Sequence, residues 1–554
     1  MNSIFFILFK VGWHEHDPLE IWNNVVLCIQ AVQYAVKDLG GTMAAVGITN
    51  QRETTIAWNA QTGVAYYNAI VWDDTRTSTI ANQIACGNPN RFREKTGLPL
   101  ASYFAGTKVR WLLDNVQELA DDIHNAESRE HVRFGTIDTW LLYQLTGKPN
   151  MDMDMEGAAN VGGLHLTDVS NASRWLFCDI AKVEWDQELV DSVCCPHSVP
   201  LSALPEIRKS SEVYARCTLP DLLGVPLSAI LGDQQAALFG QCAFEPGEAK
   251  NTYGTGLFLM MNTGTKRVPS NHGLLTTIAY QIEDDKVIYA LEGSISHSGS
   301  TIQWLRDQLC IISHAAESET LARTTDHNDG LYFVPAFSGL FAPHWRSDAR
   351  ACIVGMTATH HKGHVCRAAL EAAAYQTREV FDAIYADSHV LLKNLRVDGG
   401  GTNNKLLMQF QSDIINVPVV KPKVMETTSM GAAFAAGLAV GVWTSVEQIR
   451  DLWSVAETFQ PLMTERERTK KWAGWTKAVT KSLDWVQEEE DENFQDAQEE
   501  TEVGDDVGES ESIQVIRELA EAKAPLVEGY STASLILMTL CGLGAGIMLG
   551  RRLK

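Results

Sequence analysis

Three times along this chain a short apolar run stops at a glycine-rich turn, and that recurring unit limits the possible folds more than any other feature. Ala229-Ile-Leu231 ends at Gly232-Asp233-Gln234-Gln235 and passes into an apolar helical pattern, Ala236-Ala-Leu-Phe239. Ala249-Lys-Asn251 ends at Thr252-Tyr-Gly254-Thr255-Gly256, and Leu395-Arg-Val397 ends at Asp398-Gly-Gly400-Gly-Thr-Asn-Asn404. Buried strands that turn on glycine into helices build an α/β sheet. Glycine lets successive backbone N–H groups face one concavity, which suits a phosphate. A glycine at a strand end also serves as a plain turn, so each turn alone carries both readings. No Gly-x-x-x-x-Gly-Lys-Ser/Thr motif occurs, and no Gly-x-Gly-x-x-Gly heads the first unit, which excludes the P-loop and dinucleotide-binding classes.

The first part of the chain has the same alternation. Asp17-Pro18 opens a helical pattern over 17–39, with Leu19, Ile21, Trp22, Val25 and Val26 at helical spacing. Ala44–Ile48 and Thr54–Trp58 read as strands, Asn59-Ala-Gln-Thr-Gly63 as a turn, and Val64–Trp72 as the returning strand. Between the first two strands lies Asn50-Gln51-Arg52-Glu53-Thr54-Thr55, a polar run after a buried strand. Its neighbouring Arg and Glu offer a donor and an acceptor to a polyhydroxyl ligand, or simply make a solvated turn. Asp233, at a strand-to-helix turn, is either a helix N-cap or a carboxylate placed to take a proton from a hydroxyl that attacks a phosphoryl group.

The chain has 554 residues, with 69 acidic and 45 basic side chains and a formal charge of −24. That balance argues against nucleic-acid binding, which needs clustered Lys and Arg. Glu488–Glu511 holds 13 acidic and no basic residues, and reads as an acidic linker. After it, Ser531–Gly550 is a 20-residue run without a charge, followed by Arg551, Arg552 and Lys554. As a helix this run spans ~30 Å, the thickness of one hydrocarbon core, and predicts a transmembrane tail. The eleven cysteines show no Cys-x-x-Cys spacing and read as reduced thiols.

Asn50–Thr55, Phe134-Gly-Thr-Ile-Asp-Thr-Trp140, Thr167–Arg174, Ser211-Glu-Val-Tyr214, Gly232–Leu238 and Lys250–Gly256 together resemble the glycerol kinases of the FGGY carbohydrate kinase family, within the actin-like ATPases. Tyr103–Asn115, with Lys108 and Trp111, resembles the first family signature; Ala351–Glu371, with Gly355 and Glu371, resembles the second. The resemblance implies two actin-like (ribonuclease H-like) α/β domains around a cleft. These are a glycerol-binding domain over 1–243 and a nucleotide-binding domain over 244–487, followed by a linker over 488–530 and the membrane helix over 531–550. It implies transfer of phosphate from ATP, with Mg²⁺, to glycerol, giving glycerol 3-phosphate. The substrate contacts it implies are Arg52, Glu53, Tyr103, Asp233, Gln234 and Phe258, with Asp233 as the base. The nucleotide contacts it implies are Gly254, Thr255, Gly256, Gly299, Gln303, Gly400 and Asn404, with no protein-built metal centre. An animal-type member with such a tail would sit on the cytoplasmic face of the mitochondrial outer membrane, its globular part in the cytoplasm; a homo-oligomer is compatible with it.

One departure stands out. The family opens with a hairpin bearing Asp-x-Gly-Thr-Thr/Ser, upstream of the segment that is Gly12-Trp-His-Glu-His-Asp-Pro18 here, and Met1–Lys10 contains no Asp, Gly, Thr or Arg. The expectation is a first domain short of that hairpin, an exposed strand edge and weak turnover. The competing readings are a tethered kinase, a tethered glycerol-binding relative and an incomplete gene model.

Overall fold

The computed structural model describes residues 12–149 and 160–486, and the backbone of 545–550. Expectations that fall on 1–11, on the acidic linker or on 531–544 lie outside the described residues. The first helix, α1 (Pro18–Asp38), begins where Asp17 accepts a hydrogen bond from the Leu19 N–H at 2.8 Å, with Pro18 in the first turn. Ile21, Trp22, Val25, Ile29, Val32 and Val36 recur at helical spacing and are buried. The first domain then adds β1 (Thr42–Asn50), β2 (Thr55–Asn59), β3 (Val132–Thr136), α2 (Ile137–Thr146), β4 (Ser211–Arg216), β5 (Pro226–Gly232) and α3 (Asp233–Gly240). In the sheet that bears the site, β1 runs parallel to β5, and β4 pairs antiparallel on the far side of β5. A second sheet joins Glu15–His16, Ala69–Ile70, β2 and β3.

The returning strand expected over Val64–Trp72 is reduced to Ala69–Ile70, preceded by a single bridge between Trp58 and Ala65. Side chains explain the break: the Tyr66 hydroxyl donates to Asp122 at 2.5 Å, and the Tyr67 hydroxyl and Asn68 amide both donate to the Glu15 carboxylate, at 2.7 and 2.9 Å. These bonds pull the chain out of the ladder between the two paired stretches.

The second domain is built on β6 (Glu248–Tyr253), β7 (Leu257–Gly264), β8 (Leu275–Gln281), β9 (Val287–Ile295), α4 (Gly299–Asp307), α5 (Lys362–Ser388), β10 (Asn394–Asp398), α6 (Lys405–Ile415), β11 (Val419–Pro422), α7 (Thr427–Ala439) and β12 (Val455–Phe459). Its sheet runs β8-β9-β7-β6-β10-β11-β12, with β6 parallel to β10 and β10 parallel to β11. The alanine-rich α5 lies across it and buries nineteen of its side chains or backbone positions, Ala372, Ala374 and Thr377 among them.

α3 of the first domain crosses α7 of the second in backbone contact. A Cβ on Gly240 would lie 1.9 Å from the Thr427 carbonyl oxygen, and one on Gly431 would lie 1.8 Å from the Ala236 carbonyl oxygen. Glycine is required at both positions because no side chain fits between the helices. Leu238, Phe239, Met260, Phe434 and Ala435 pack around this crossing in one apolar cluster.

The tail departs from expectation. Ala545–Gly550, the end of the run expected as a membrane helix, form a strand, β13, antiparallel to β1, with Ile48 opposite Ala545 and Thr42 opposite Gly550. The site-bearing sheet is therefore β4-β5-β1-β13. The physical reason is the edge of β1, whose free N–H and C=O groups accept an uncharged segment as a strand. Among the described residues no helix is long and apolar enough to cross a membrane.

The crossing gives a direct test. Gly431→Ala forces α3 and α7 apart and should lower stability by about 1–3 kcal/mol, measured by urea unfolding followed by tryptophan fluorescence; an unchanged midpoint would show that the helices separate freely.

Candidate active site

β1 and β5 are parallel and in register, with Asn50 opposite Gly232. The segments leaving their carboxyl ends, Gln51-Arg52-Glu53 and Asp233-Gln234, therefore emerge side by side. Behind them the Gly232 N–H donates to Ser170 Oγ at 2.9 Å, and Ser170 and Ser210 both donate to the Asp168 carboxylate. Glu53 holds a left-handed backbone, φ 60°, while the Thr54 N–H donates to the Arg52 carbonyl at 2.7 Å. A glutamate in that region is strained, and strain of this kind persists where the surroundings dictate a side chain's direction.

Those surroundings are ionic. The Arg52 guanidinium donates through both terminal nitrogens to Glu292 of β9, at 2.7 and 2.8 Å. Arg174 donates to Glu53 at 2.5 Å and reaches Glu292 at 3.5 Å. All four side chains are buried. Burial alone would raise the Glu292 carboxyl, but Arg174 and Arg52 hold it down to about 2. Asp233 stands 3.4 Å from Arg52 Nε and keeps 34% of its side chain exposed, so it is the member of this cluster that opens to the cleft.

An aromatic wall closes the same place. Trp72 packs edge-on against Tyr103 at 5.6 Å and against Phe258 of β7 at 5.9 Å, so it joins the two domains. Arg174 lies over the Tyr103 ring at 5.6 Å. Burial and the Glu53 carboxylate hold the Tyr103 phenol well above its ordinary range, so it is a neutral hydroxyl. Lys250 of β6 is fully buried, and burial pushes its ammonium down to about 8.

The second cluster lies at the carboxyl ends of β6 and β10, which pair in parallel with Thr252 opposite Asp398. Gly254–Gly256 and Gly399–Gly401 thus leave the sheet together. Gly399 has φ 86°, and a Cβ there would lie 2.6 Å from the Tyr253 carbonyl oxygen; Gly400 has open space before it. α4 starts against the first turn, with the Gly299 N–H donating to the Gly254 carbonyl at 3.1 Å. Gln303 is exposed one turn along α4. Asn404 caps α6 by accepting from the Leu407 N–H at 2.9 Å, so its side-chain oxygen is engaged in the fold. Among the described residues no group of His, Cys, Asp or Glu side chains is placed to form a metal cage.

The structure thus gathers Arg52, Glu53, Asp233 and Gln234 at one set of strand ends, with Tyr103 and Phe258 joined through Trp72. It gathers Gly254, Thr255, Gly256, Gly299 and Gly400 at the other. Trp72, Arg174, Lys250 and Glu292 join the site without a role expected of them from the sequence. The available signals were charge inside apolar strands, as in Tyr289-Ala-Leu-Glu292-Gly, and the buried Lys250 just ahead of a glycine turn.

Models of the FGGY family of carbohydrate kinases match this chain twice, the N-terminal domain over residues 4–240 and the C-terminal domain over 249–440. The chain belongs to the FGGY carbohydrate kinases. Within the family it is similar to the glycerol kinase of Saccharopolyspora erythraea, 54% identical over 482 residues and covering 86% of this chain and 92% of that one. It is also similar to the glycerol kinase of Brucella anthropi, 53% identical over 479 residues with the same shares. Among solved structures, Plasmodium falciparum glycerol kinase with ADP superposes with a TM-score of 0.78 at 39% identity, covering 88% of this chain and 93% of that chain. A xylulose kinase from Lactobacillus acidophilus, at 20% identity and a TM-score of 0.71, shares the FGGY fold.

The ion cluster yields a prediction with a definite pH direction. Glu292→Gln leaves two buried guanidinium groups short of a partner and should cost about 3–5 kcal/mol. Glu292 is held near 2 in the folded chain against an ordinary 4.5. Its contribution is therefore present above pH 4.5 and is lost as pH falls toward 2. Unfolding of the parent should become easier across that window, and the variant should lack this component. Parallel acid titrations of the two proteins check it; identical slopes would refute the pairing.

Proposed function

We propose that this FGGY kinase is an ATP-dependent glycerol kinase, which transfers the γ-phosphoryl group of ATP to a terminal hydroxyl of glycerol to give glycerol 3-phosphate and ADP. The observation that carries this reading is the cluster at the β1 and β5 ends: Arg52 and Glu53, clamped by Glu292 and Arg174, beside the partly exposed Asp233. A buried cation and carboxylate offer a donor and an acceptor to adjacent hydroxyls. Trp72, Tyr103 and Phe258 give the carbon chain an apolar wall. The high identity to glycerol kinases supports the same substrate.

In this reading the terminal hydroxyl lies against Asp233. As the new O–P bond forms and the bond from phosphorus to the ADP oxygen breaks, the hydroxyl proton passes to the Asp233 carboxylate. Gly254, Thr255, Gly256, Gly299 and Gly400 form the turns that face the nucleotide, the Gly254 and Gly299 N–H groups tying them together through the Gly256 and Gly254 carbonyls, with Gln303 and Asn404 at the rim. Asp233, the partly exposed carboxylate of the cluster, would face a Mg²⁺ ion, which would supply neutralisation of phosphate charge.

We propose an animal-type form whose residues 531–550 hold it at the cytoplasmic face of the mitochondrial outer membrane. The support is the uncharged run and its basic end. Membrane residence requires Ala545–Gly550 to leave β1, since the same backbone groups cannot serve both. A fluorescent fusion of residues 525–554 should outline mitochondria; reticular or diffuse signal would overturn this. A tethered glycerol-binding relative would instead show heat of glycerol binding without ADP release.

Asp233→Asn separates the main reading from a binding-only one. Loss of the base should lower kcat by about 10²–10⁴-fold while glycerol still binds, as followed by coupled ADP release and by calorimetry. An active variant would remove Asp233 from the reaction.

A further inference from the structure

Lys250 is a buried cation whose partners are unusual. It sits on β6 of the second domain, fully buried, four residues before the Gly254 turn. Among the described residues its ammonium donates to Gln234 Oε1 and, at 3.0 Å, to Thr252 Oγ1. Neither is a carboxylate, although Asp233, Asp398 and Glu292 all lie near enough to act on its charge. Glu292 is taken up by Arg52, and Asp398 accepts from Gln241 and Thr427.

Gln234 connects this lysine to the base. Its Nε2 donates to Asp233 Oδ2 at 2.8 Å, and its backbone N–H donates to Asp233 Oδ1 at 2.8 Å. A glutamine amide can sit either way round, and its neighbours decide which. An ammonium has donors and no acceptor, so the amide oxygen must face Lys250 and the NH₂ must face Asp233. The reverse orientation would set the amide oxygen against a carboxylate oxygen, acceptor against acceptor, and push Asp233 out of line.

We propose that Lys250 is a positioning residue: through the Gln234 amide it fixes the direction of the Asp233 carboxylate in the cleft. The inference rests on the reading of Asp233 as the group that meets the glycerol hydroxyl. The relay also crosses between domains. Lys250 belongs to the strand that leads into the phosphate-facing turn, whereas Gln234 and Asp233 open α3 of the first domain. The base is thereby held in register with the part of the second domain that faces the nucleotide.

The test is a thermodynamic cycle in the full chain, read by glycerol calorimetry and by thermal unfolding. Lys250→Met keeps the length and volume of the side chain and removes the donor. It should weaken glycerol binding about tenfold, the size of one hydrogen bond to a charged group. It should unfold no earlier than the parent, because it removes a buried charge that lacks a carboxylate partner. Gln234→Leu should show a similar loss, and the double variant should be no more than about threefold weaker than either single one. Lys250→Gln, which keeps an N–H donor, should recover part of the affinity.

Losses that multiply in the double variant, or parental affinity in Lys250→Met, overturn the relay. Earlier unfolding of Lys250→Met together with weaker binding shows a packing residue and also overturns it. If the parent binds glycerol but releases no ADP, the kinase reading fails while the cycle still decides the relay. A parent that binds no glycerol overturns both.

Discussion

The site depends on one interaction, the two-pronged bond between Arg52 of the first domain and Glu292 of the second. Two charges out of water are tolerated only when each is fully engaged. Arg52 gives both terminal nitrogens to Glu292, and Arg174 closes the set by holding Glu53 and reaching Glu292. The cluster fixes the strained backbone at Glu53, sets Arg52 beside Asp233 and ties the two domains across the cleft floor. Its four residues come from three separate stretches of chain, so it forms only when both domains have found their places.

Around that point the architecture is a matter of matched edges. Parallel pairing of β1 with β5 in one domain, and of β6 with β10 in the other, sends the chemically active turns out at corresponding strand ends. This is the usual place for ligands in open α/β sheets, outside the carboxyl ends of the strands. The α3–α7 crossing brings the two sheets close enough for the turns to share one cleft. Gly240 and Gly431 are the local requirement for that approach, and the glycines of the turns serve the ligand side.

Much of this was legible in the sequence, for a local reason. Apolar runs ending in glycine turns are contiguous, and so is Asn50–Thr55; their pattern reveals the α/β unit and the polar ends of its strands. α1 was equally plain because Asp17-Pro18 and the apolar spacing are written within a few turns. Arg174, Glu292 and Lys250 were not legible, because each owes its partner to a distant strand and a lone charge in an apolar stretch does not name that partner. The returning strand is shorter than its sequence pattern because the side-chain bonds of Tyr66, Tyr67 and Asn68 interrupt the ladder. At the tail, an uncharged run does not reveal whether lipid or a strand edge satisfies the backbone of Ala545–Gly550, and the edge of β1 lies almost a full chain length away.

That last pairing has a consequence for the order in which the molecule can be made. Ile48 lies opposite Ala545, so a strand from the start of the first domain receives its neighbour from a segment beyond the whole second domain. On the ribosome, β1 and β5 can meet once the first domain has emerged, but β1 meets β13 only after the whole second domain has followed. Contacts of such long sequence separation form slowly, and domains usually fold in the order in which they appear. The pairing of β1 with β13 is therefore a late step, which couples the first domain's sheet to a segment that lies beyond the second domain of this kinase.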